Sequence, residues 1–206
     1  MEIIESSIEV VLAALRAGKP VLVTDAADRE DEGDAIIAAE FATTEWMAWM
    51  IRYTSGYICA PMTEQRANEL DLPLMWVKTQ DPHRTAYTVS VDATDRATTG
   101  ISAADRGLTA RVLADRNSGP LSLMRPGHVL PLRAKDGGVL ERAGHTEAAV
   151  DLMKLAGLEP VAMMAEMVND DGTMMRREEL FQTALRFDLP MTSISNLKDH
   201  LAKRSL

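Results

Sequence analysis

The chain has 206 residues, 46% of them hydrophobic and 26% charged, an ordinary globular composition with enough length to bury a sizeable core. A net charge of −9 and only 4% aromatic residues argue against binding to nucleic acid, stacking on RNA or adhesion to an anionic membrane. The single cysteine, Cys59, excludes an intrachain disulfide and a multi-cysteine zinc site.

Neither a leader with a basic start nor an apolar run of about eighteen residues is present, so a cytoplasmic location is expected. There is no internal repeat or low-complexity linker, which suggests one domain over residues 1–206.

Ile8, Val11, Leu12 and Leu15 recur at helical spacing and predict a first helix over residues 5–17, ending near Gly18. Val21 to Thr24 reads as a buried strand and Asp34 to Phe41 as a second. Thr44 opens a helix holding Trp46, Met47, Met50 and Ile51, which Gly56 should stop. A strand over Tyr57 to Pro61, a short helix over Thr63 to Leu70 and an irregular stretch over Leu72 to Asp81 follow. Thr85 to Val91 alternates and is β-branched, the clearest strand signal of the chain.

Thr98 to Ser102 should lead into a helix running to about Asp115. Val129–Arg133 and Val139–Arg142 face each other across Lys135-Asp136-Gly137-Gly138, which predicts a hairpin. Gly144 to Glu147 opens a helix that Gly157 stops, and Pro160 to Val168 is a buried strand carrying one charge, Glu166. A helix from Arg176 to Arg186, a strand from Thr192 to Ser195 and a terminal helix from Asn196 to Lys203 complete the chain. Interleaved strands and helices with one hairpin predict an α/β fold (α+β by some criteria), with a mixed sheet covered on both faces.

The densest chemistry lies in Asp28-Arg29-Glu30-Asp31-Glu32-Gly33-Asp34, five carboxylates in seven residues. So many anions in one loop repel each other unless a cation neutralises some, and hard divalent cations prefer oxygen ligands. A solvated acidic loop is the plain alternative. A calcium-binding loop is excluded: Asp28, Glu30, Glu32 and Gly33 imitate its first half, but its twelfth position is Ala39.

Thr98 to Ser102 and Arg142-Ala143-Gly144-His145-Thr146 each place small or polar residues before a helix, where free N–H groups attract anions. Capping alone explains one such stretch; two in an acidic protein suggest a phosphate. His145-Thr146-Glu147 matches half of a zinc-deaminase signature, whose cysteine half is missing. Alone, His128 reads as a structural or surface histidine ahead of a catalytic one, Glu166 equally as a polar-face residue or a functional carboxylate, and Cys59 as a small buried hydrophobe. Together these residues describe a metal site beside a phosphate site, in an enzyme acting on a small phosphorylated compound.

Six motifs occur in an order that resembles the 3,4-dihydroxy-2-butanone 4-phosphate synthase family of riboflavin biosynthesis, in its monofunctional form. They are Asp28–Asp34, Thr54–Gly56 with Cys59, Thr85–Asp92, Thr99–Arg106, Arg125–Val129 and Arg142–Thr146. The resemblance implies a three-layer α/β/α fold and a homodimer. It also implies a Mg²⁺-dependent conversion of D-ribulose 5-phosphate into L-3,4-dihydroxy-2-butanone 4-phosphate and formate. With 206 residues, no room is expected for the GTP cyclohydrolase II domain fused to many relatives.

By the same resemblance Glu30 and His145 are the Mg²⁺ ligands. Arg29, Glu30, Asp34, Arg142, Ala143, Gly144, His145, Thr146 and Glu166 contact the substrate, and His128 and Glu166 match positions essential to turnover. Asp34 joins those two as a candidate for the several proton transfers the reaction needs. Imidazole is an unusual choice for Mg²⁺, so Mn²⁺ is expected to support turnover as well. Another metal enzyme on a sugar phosphate and a non-catalytic binding module are the competing classes.

Overall fold

The computed structural model describes residues 3–26 and 28–204. Its frame is a seven-stranded sheet in the order β4-β5-β3-β6-β2-β1-β7. The strands are β1 (Val21–Thr24), β2 (Gly33–Ala38), β3 (Cys59–Thr63), β4 (Val91–Ala93), β5 (Leu123–Ala134), β6 (Ala162–Glu166) and β7 (Met191–Ser193). β1/β7 and β3/β5 pair in parallel; β1/β2, β2/β6, β3/β6 and β4/β5 pair antiparallel. The sheet is therefore mixed, as the sequence pattern predicts.

Both faces are covered, and the period-two alternation of strand side chains divides the apolar residues between two cores. Leu22, Ala35, Ile37, Met163 and Ala165 face α2 (Thr44–Tyr53), α3 (Glu64–Glu69), α4 (Ala103–Ala114) and α7 (Arg177–Phe187). Val21, Val23, Ile36, Ala162 and Met164 face α1 (Ile8–Arg16), α6 (His145–Ala156) and α8 (Ile194–Arg204). The result is a three-layer α/β/α arrangement. Each fully buried Leu or Ile contributes roughly 1.5–3 kcal/mol, and both cores hold several.

This alternation also positions chemistry. Asp34 shares its face with Ile36, and Glu166 shares its face with Met164, so both point to the side of α6. They are directly opposed in the β2/β6 register.

Two sequence expectations are corrected. Thr85 to Val91 is not a strand: Thr88 and Tyr87 form only isolated bridges, to Leu74 and Leu132, and regular pairing begins at Val91. The backbone N–H groups there go to different segments, Thr88 to Pro131 O and Val89 to Pro73 O. Pro131 has no N–H to return, so a continuous ladder cannot form. The predicted hairpin is absent as well. β5 runs to Ala134 beside β3, and Val139 lies in a short helix, α5 (Gly138–Glu141). Val139 is buried in the core beneath α6 and its N–H donates to Asp151 Oδ2 at 2.8 Å, which draws the chain toward α6.

Boundary differences are smaller. β2 gives way at Ala39 to one 3₁₀ turn, β3 begins two residues later than expected, and α2 ends at Tyr53 ahead of Gly56.

Candidate active site

The acidic loop joins β1 to β2, and a carboxylate outside the acidic run folds it. Asp25, whose side chain is buried, accepts the N–H of Glu30 and of Glu32 at 3.0 Å each, and Arg29 Nη1 at 2.9 Å. Arg29 also pairs with Glu30. Arg176 holds the loop from α7 through the carbonyls of Glu30 and Asp31. Asp28 remains exposed.

α6 starts opposite this loop, with Gly144 as its N-cap and His145, Thr146 and Glu147 all buried. His145 Nδ1 lies 3.7 Å from Glu30 Oε2 and 3.8 Å from Asp34 Oδ1. Its Nε2 is 3.2 Å from the Val23 carbonyl. A carbonyl oxygen only accepts, so Nε2 carries hydrogen and Nδ1 is the edge turned toward the carboxylates.

Burial pulls the His145 imidazolium down, but the Asp34 charge and the nearby Glu30 carboxylate outweigh it and hold the group up at about 9. The interaction with His145, with Arg29 nearby, outweighs burial and brings Glu30 down to about 2. Burial lifts Asp34 to about 7, with Glu166 and Glu30 adding to it and His145 offsetting part. Three titratable groups shifted by burial and by one another are the kind of cluster found at functional sites.

The donor set fits a divalent cation. Asp25, Glu30 and His145 offer ligand atoms within 4.8 Å of one another. Both Asp25 oxygens already serve the loop, which leaves Glu30 and His145 as the pair able to turn to a cation. Asp34 Oδ1 is buried with no hydrogen-bond partner beside them. A histidine anchored through its far nitrogen on a backbone carbonyl is a usual metal-ligand arrangement.

Arg29, Glu30, Asp34, Arg142, His145, Thr146 and Glu166 converge on a cavity of about 70 Å³. Glu166 Oε2 accepts the Ser55 hydroxyl at 2.6 Å. A larger cavity of about 570 Å³, which Ala143 borders, lies on the other side of the acidic loop against α8. We place the chemistry in the smaller one, because the mutually shifted groups meet there.

Arg142 reaches the cavity already engaged. Its Nε and Nη2 donate to the His83 carbonyl at 3.1 and 3.0 Å, Nη2 also to Thr85 Oγ1 at 3.1 Å, and Nη1 to Glu147 Oε2 at 2.5 Å. It clamps the segment ending at Thr85 over the site. Gly144 makes this possible, since a Cβ there would overlap Arg142 Nη1 and stand 2.9 Å from Glu147 Oε2.

His128 is not brought to this cavity in its own chain. The β4/β5 register jumps between Val91↔Val129 and Asp92↔Met124, so residues 125–128 loop out beside Asp92. Thr98 to Ser102 does not offer a second anion site. Asp105 accepts Thr98 N at 3.0 Å, Thr98 Oγ1 at 2.6 Å and Gly100 N at 3.1 Å, so those donors are satisfied from within the chain.

Sequence reasoning missed Asp25, Ser55, Thr85, Asp92 and Glu147. Ser55, Thr85 and Asp92 stand inside motifs already singled out, and Glu147 inside the His145-Thr146-Glu147 match; Asp25 carries no separate signal.

A sequence profile of the family 3,4-dihydroxy-2-butanone 4-phosphate synthase matches residues 9–200. The chain is 56% identical over 191 residues to the riboflavin biosynthesis protein RibBA of Salinispora arenicola, covering 93% of this chain and 46% of that protein. It thus spans about half the length of that relative. It is 50% identical over 204 residues to the 3,4-dihydroxy-2-butanone 4-phosphate synthase of Saccharomyces cerevisiae, covering 95% and 98% of the two chains. A crystal structure of a 3,4-dihydroxy-2-butanone 4-phosphate synthase in complex with two magnesium ions superposes with a TM-score of 0.95 at 47% identity, covering 96% and 97%.

Proposed function

The chain belongs to the 3,4-dihydroxy-2-butanone 4-phosphate synthase family, and on that premise we propose that it is a Mg²⁺-dependent lyase of riboflavin biosynthesis. It converts D-ribulose 5-phosphate into L-3,4-dihydroxy-2-butanone 4-phosphate and formate. The observation that carries this reading is the convergence of Glu30, Asp34, His145 and Glu166 on one cavity.

Glu30 and His145 hold the cation, and Mn²⁺ can replace Mg²⁺ because one ligand is an imidazole. A bound cation supplies Lewis-acid stabilisation of the negative charge that develops on the sugar's neighbouring oxygens. The rest falls to the protein. Enolisation, loss of water, rearrangement and loss of formate move protons at more than one carbon, so more than one acid/base group is needed.

Asp34 Oδ1, buried and without a hydrogen-bond partner, is free to take and return a proton. Glu166 faces it across the β2/β6 pair, and the Ser55 hydroxyl fixes the Glu166 carboxylate. Arg29 and Arg142 supply positive charge at the rim. The α6 N-terminus at Gly144 to Thr146 directs N–H groups toward the phosphate, so the non-reacting end of the substrate orients the reacting one.

The working unit is a homodimer in the cytoplasm, and neither nucleic acid nor membrane is a partner. The charge of −9 supports the exclusion of nucleic acid and anionic membranes, and no helix among the described residues is long and apolar enough to cross a membrane. The dimer gives His128 its part. With 42% of its side chain exposed and a place outside its own cavity, His128 serves the cavity of the second copy.

Incubation with D-ribulose 5-phosphate and Mg²⁺ tests the reading, with formate measured directly. Formate in step with substrate loss is expected, and EDTA should stop its release until Mg²⁺ is added back. Substrate consumed without formate would assign the chain to another sugar-phosphate reaction.

A further inference from the structure

His128 is held by one carboxylate at two points. Asp92 Oδ1 accepts the His128 backbone N–H at 2.9 Å, and Asp92 Oδ2 lies 2.7 Å from its Nδ1. The Asp92 side chain is 6% exposed and that of His128 42%, so the carboxylate is sheltered and one edge of the ring remains open.

The surroundings are built around this pair. The jump in β5 register places residues 125–128 against β4, and Gly127 lets the backbones meet, since a Cβ there would overlap Val91 and Asp92 main-chain atoms. Ser90 Oγ accepts the Gly127 N–H at 3.1 Å. From the other side Gly100, at φ +88°, covers the pair: a Cβ there would overlap Asp92 Oδ2 and stand 2.7 Å from His128 Nδ1. Asp105 pins that cover through Thr98 and Gly100. The Arg106 guanidinium is attracted to Asp92 from α4 while bonding Gly56 O at 3.2 Å. The hydroxyls and glycine of Thr98 to Ser102 thus close over a carboxylate–imidazole pair.

We propose that Asp92 is a positioning residue for turnover: it keeps the hydrogen of His128 on Nδ1, fixes the ring plane, and leaves Nε2 as the edge that gives and takes a proton. A neutral imidazole has one donor and one acceptor nitrogen, and a carboxylate at Nδ1 decides which is which. The same carboxylate stabilises the imidazolium formed when Nε2 gains a proton. The part concerning turnover rests on the reading that His128 serves the reaction; the tautomer and the ring orientation do not.

The test is Asp92→Asn, nearly isosteric, with Asp92→Glu as the conservative variant, in the full-length protein. Long-range ¹⁵N spectra of the His128 ring should show the Nδ1–H form in the wild type. In Asp92→Asn the ring should lose that preference and show both tautomers. Formate release should fall about tenfold to a hundredfold in kcat with KM little changed, and Asp92→Glu should recover part of it. A wild-type ring in the Nε2–H form overturns the proposal without any variant. So does an Asp92→Asn ring unchanged in tautomer. A changed ring with unchanged kcat overturns instead the assignment of His128 to the reaction.

Discussion

Two histidines in this protein are each paired with carboxylates, and the pairings are opposite. His145 is buried at 6% side-chain exposure, anchored through Nε2 on the Val23 carbonyl, with Nδ1 open toward Glu30 and Asp34. His128 is anchored through Nδ1 on Asp92, with Nε2 open and 42% of the side chain exposed. The first leaves a nitrogen facing carboxylates in a cavity, where a proton or a metal cation can sit between them. The second leaves a proton-exchanging edge on the surface, backed by a sheltered charge. What the anchored nitrogen touches therefore decides what the free one can do.

Removing the cation pair should break this contrast most sharply. Glu30→Gln and His145→Asn should each lower formate release by roughly a hundredfold or more, and the double variant should be hardly worse than either. Independent, multiplying losses would separate the two residues. Next in size is Glu166→Gln, which should lower kcat by about two orders of magnitude with a smaller effect on KM and an intact fold. Near-normal turnover would leave Glu166 as a partner for Ser55 alone.

A third expectation uses pH. In the metal-free protein His145 holds a proton up to about 9, while Glu30, down at about 2, is already ionised. Cation and proton compete for His145 Nδ1, so Mg²⁺ binding should release a proton at neutral pH. Affinity should fall as pH drops below 9, by up to about tenfold per unit. Calorimetry in buffers of different ionisation enthalpy measures that release, and pH-independent binding would remove His145 from the ligand set. The smallest effect concerns the cover over His128. Thr98→Val removes one hydrogen bond to Asp105 and should cost about 1–2 kcal/mol of stability in urea unfolding, with KM for the substrate unchanged. A large rise in KM would restore the anion-site reading of that loop.

The difference between the two regions is also a difference in what a sequence can carry. The apolar runs of β1, β2 and β6 and the Gly144 start of α6 are local signals and legible as such, whereas the shared face of Asp34, Glu166 and His145 follows from the β2/β6 register and the packing of α6. The acidic loop announces a surplus of charge, but not that Asp25 folds it, because that role is three donors reached across a turn.

Where partners come from distant segments, the pattern misleads. Alternation in Thr85 to Val91 signals extended backbone and is silent about Pro131, which cannot complete a ladder. The Gly137-Gly138 turn is real, yet Asp151 on α6 decides where the chain goes next. His128 and Asp92 meet only because β5 skips four residues against β4, and no periodicity in either segment encodes that skip.

The claim that these two regions serve one reaction, one from each subunit, can be tested directly with chains that each lack one part. Glu166→Gln and His128→Asn chains, carrying different tags, are co-expressed, and the mixed dimer is isolated and assayed for formate from D-ribulose 5-phosphate and Mg²⁺. One of its two sites then has an intact cavity and an intact His128 from across the interface. About half the wild-type rate is expected from the dimer's two-fold symmetry, from parents that are each nearly inactive. A mixed dimer no more active than its parents, or a chain that stays monomeric, would contradict the account.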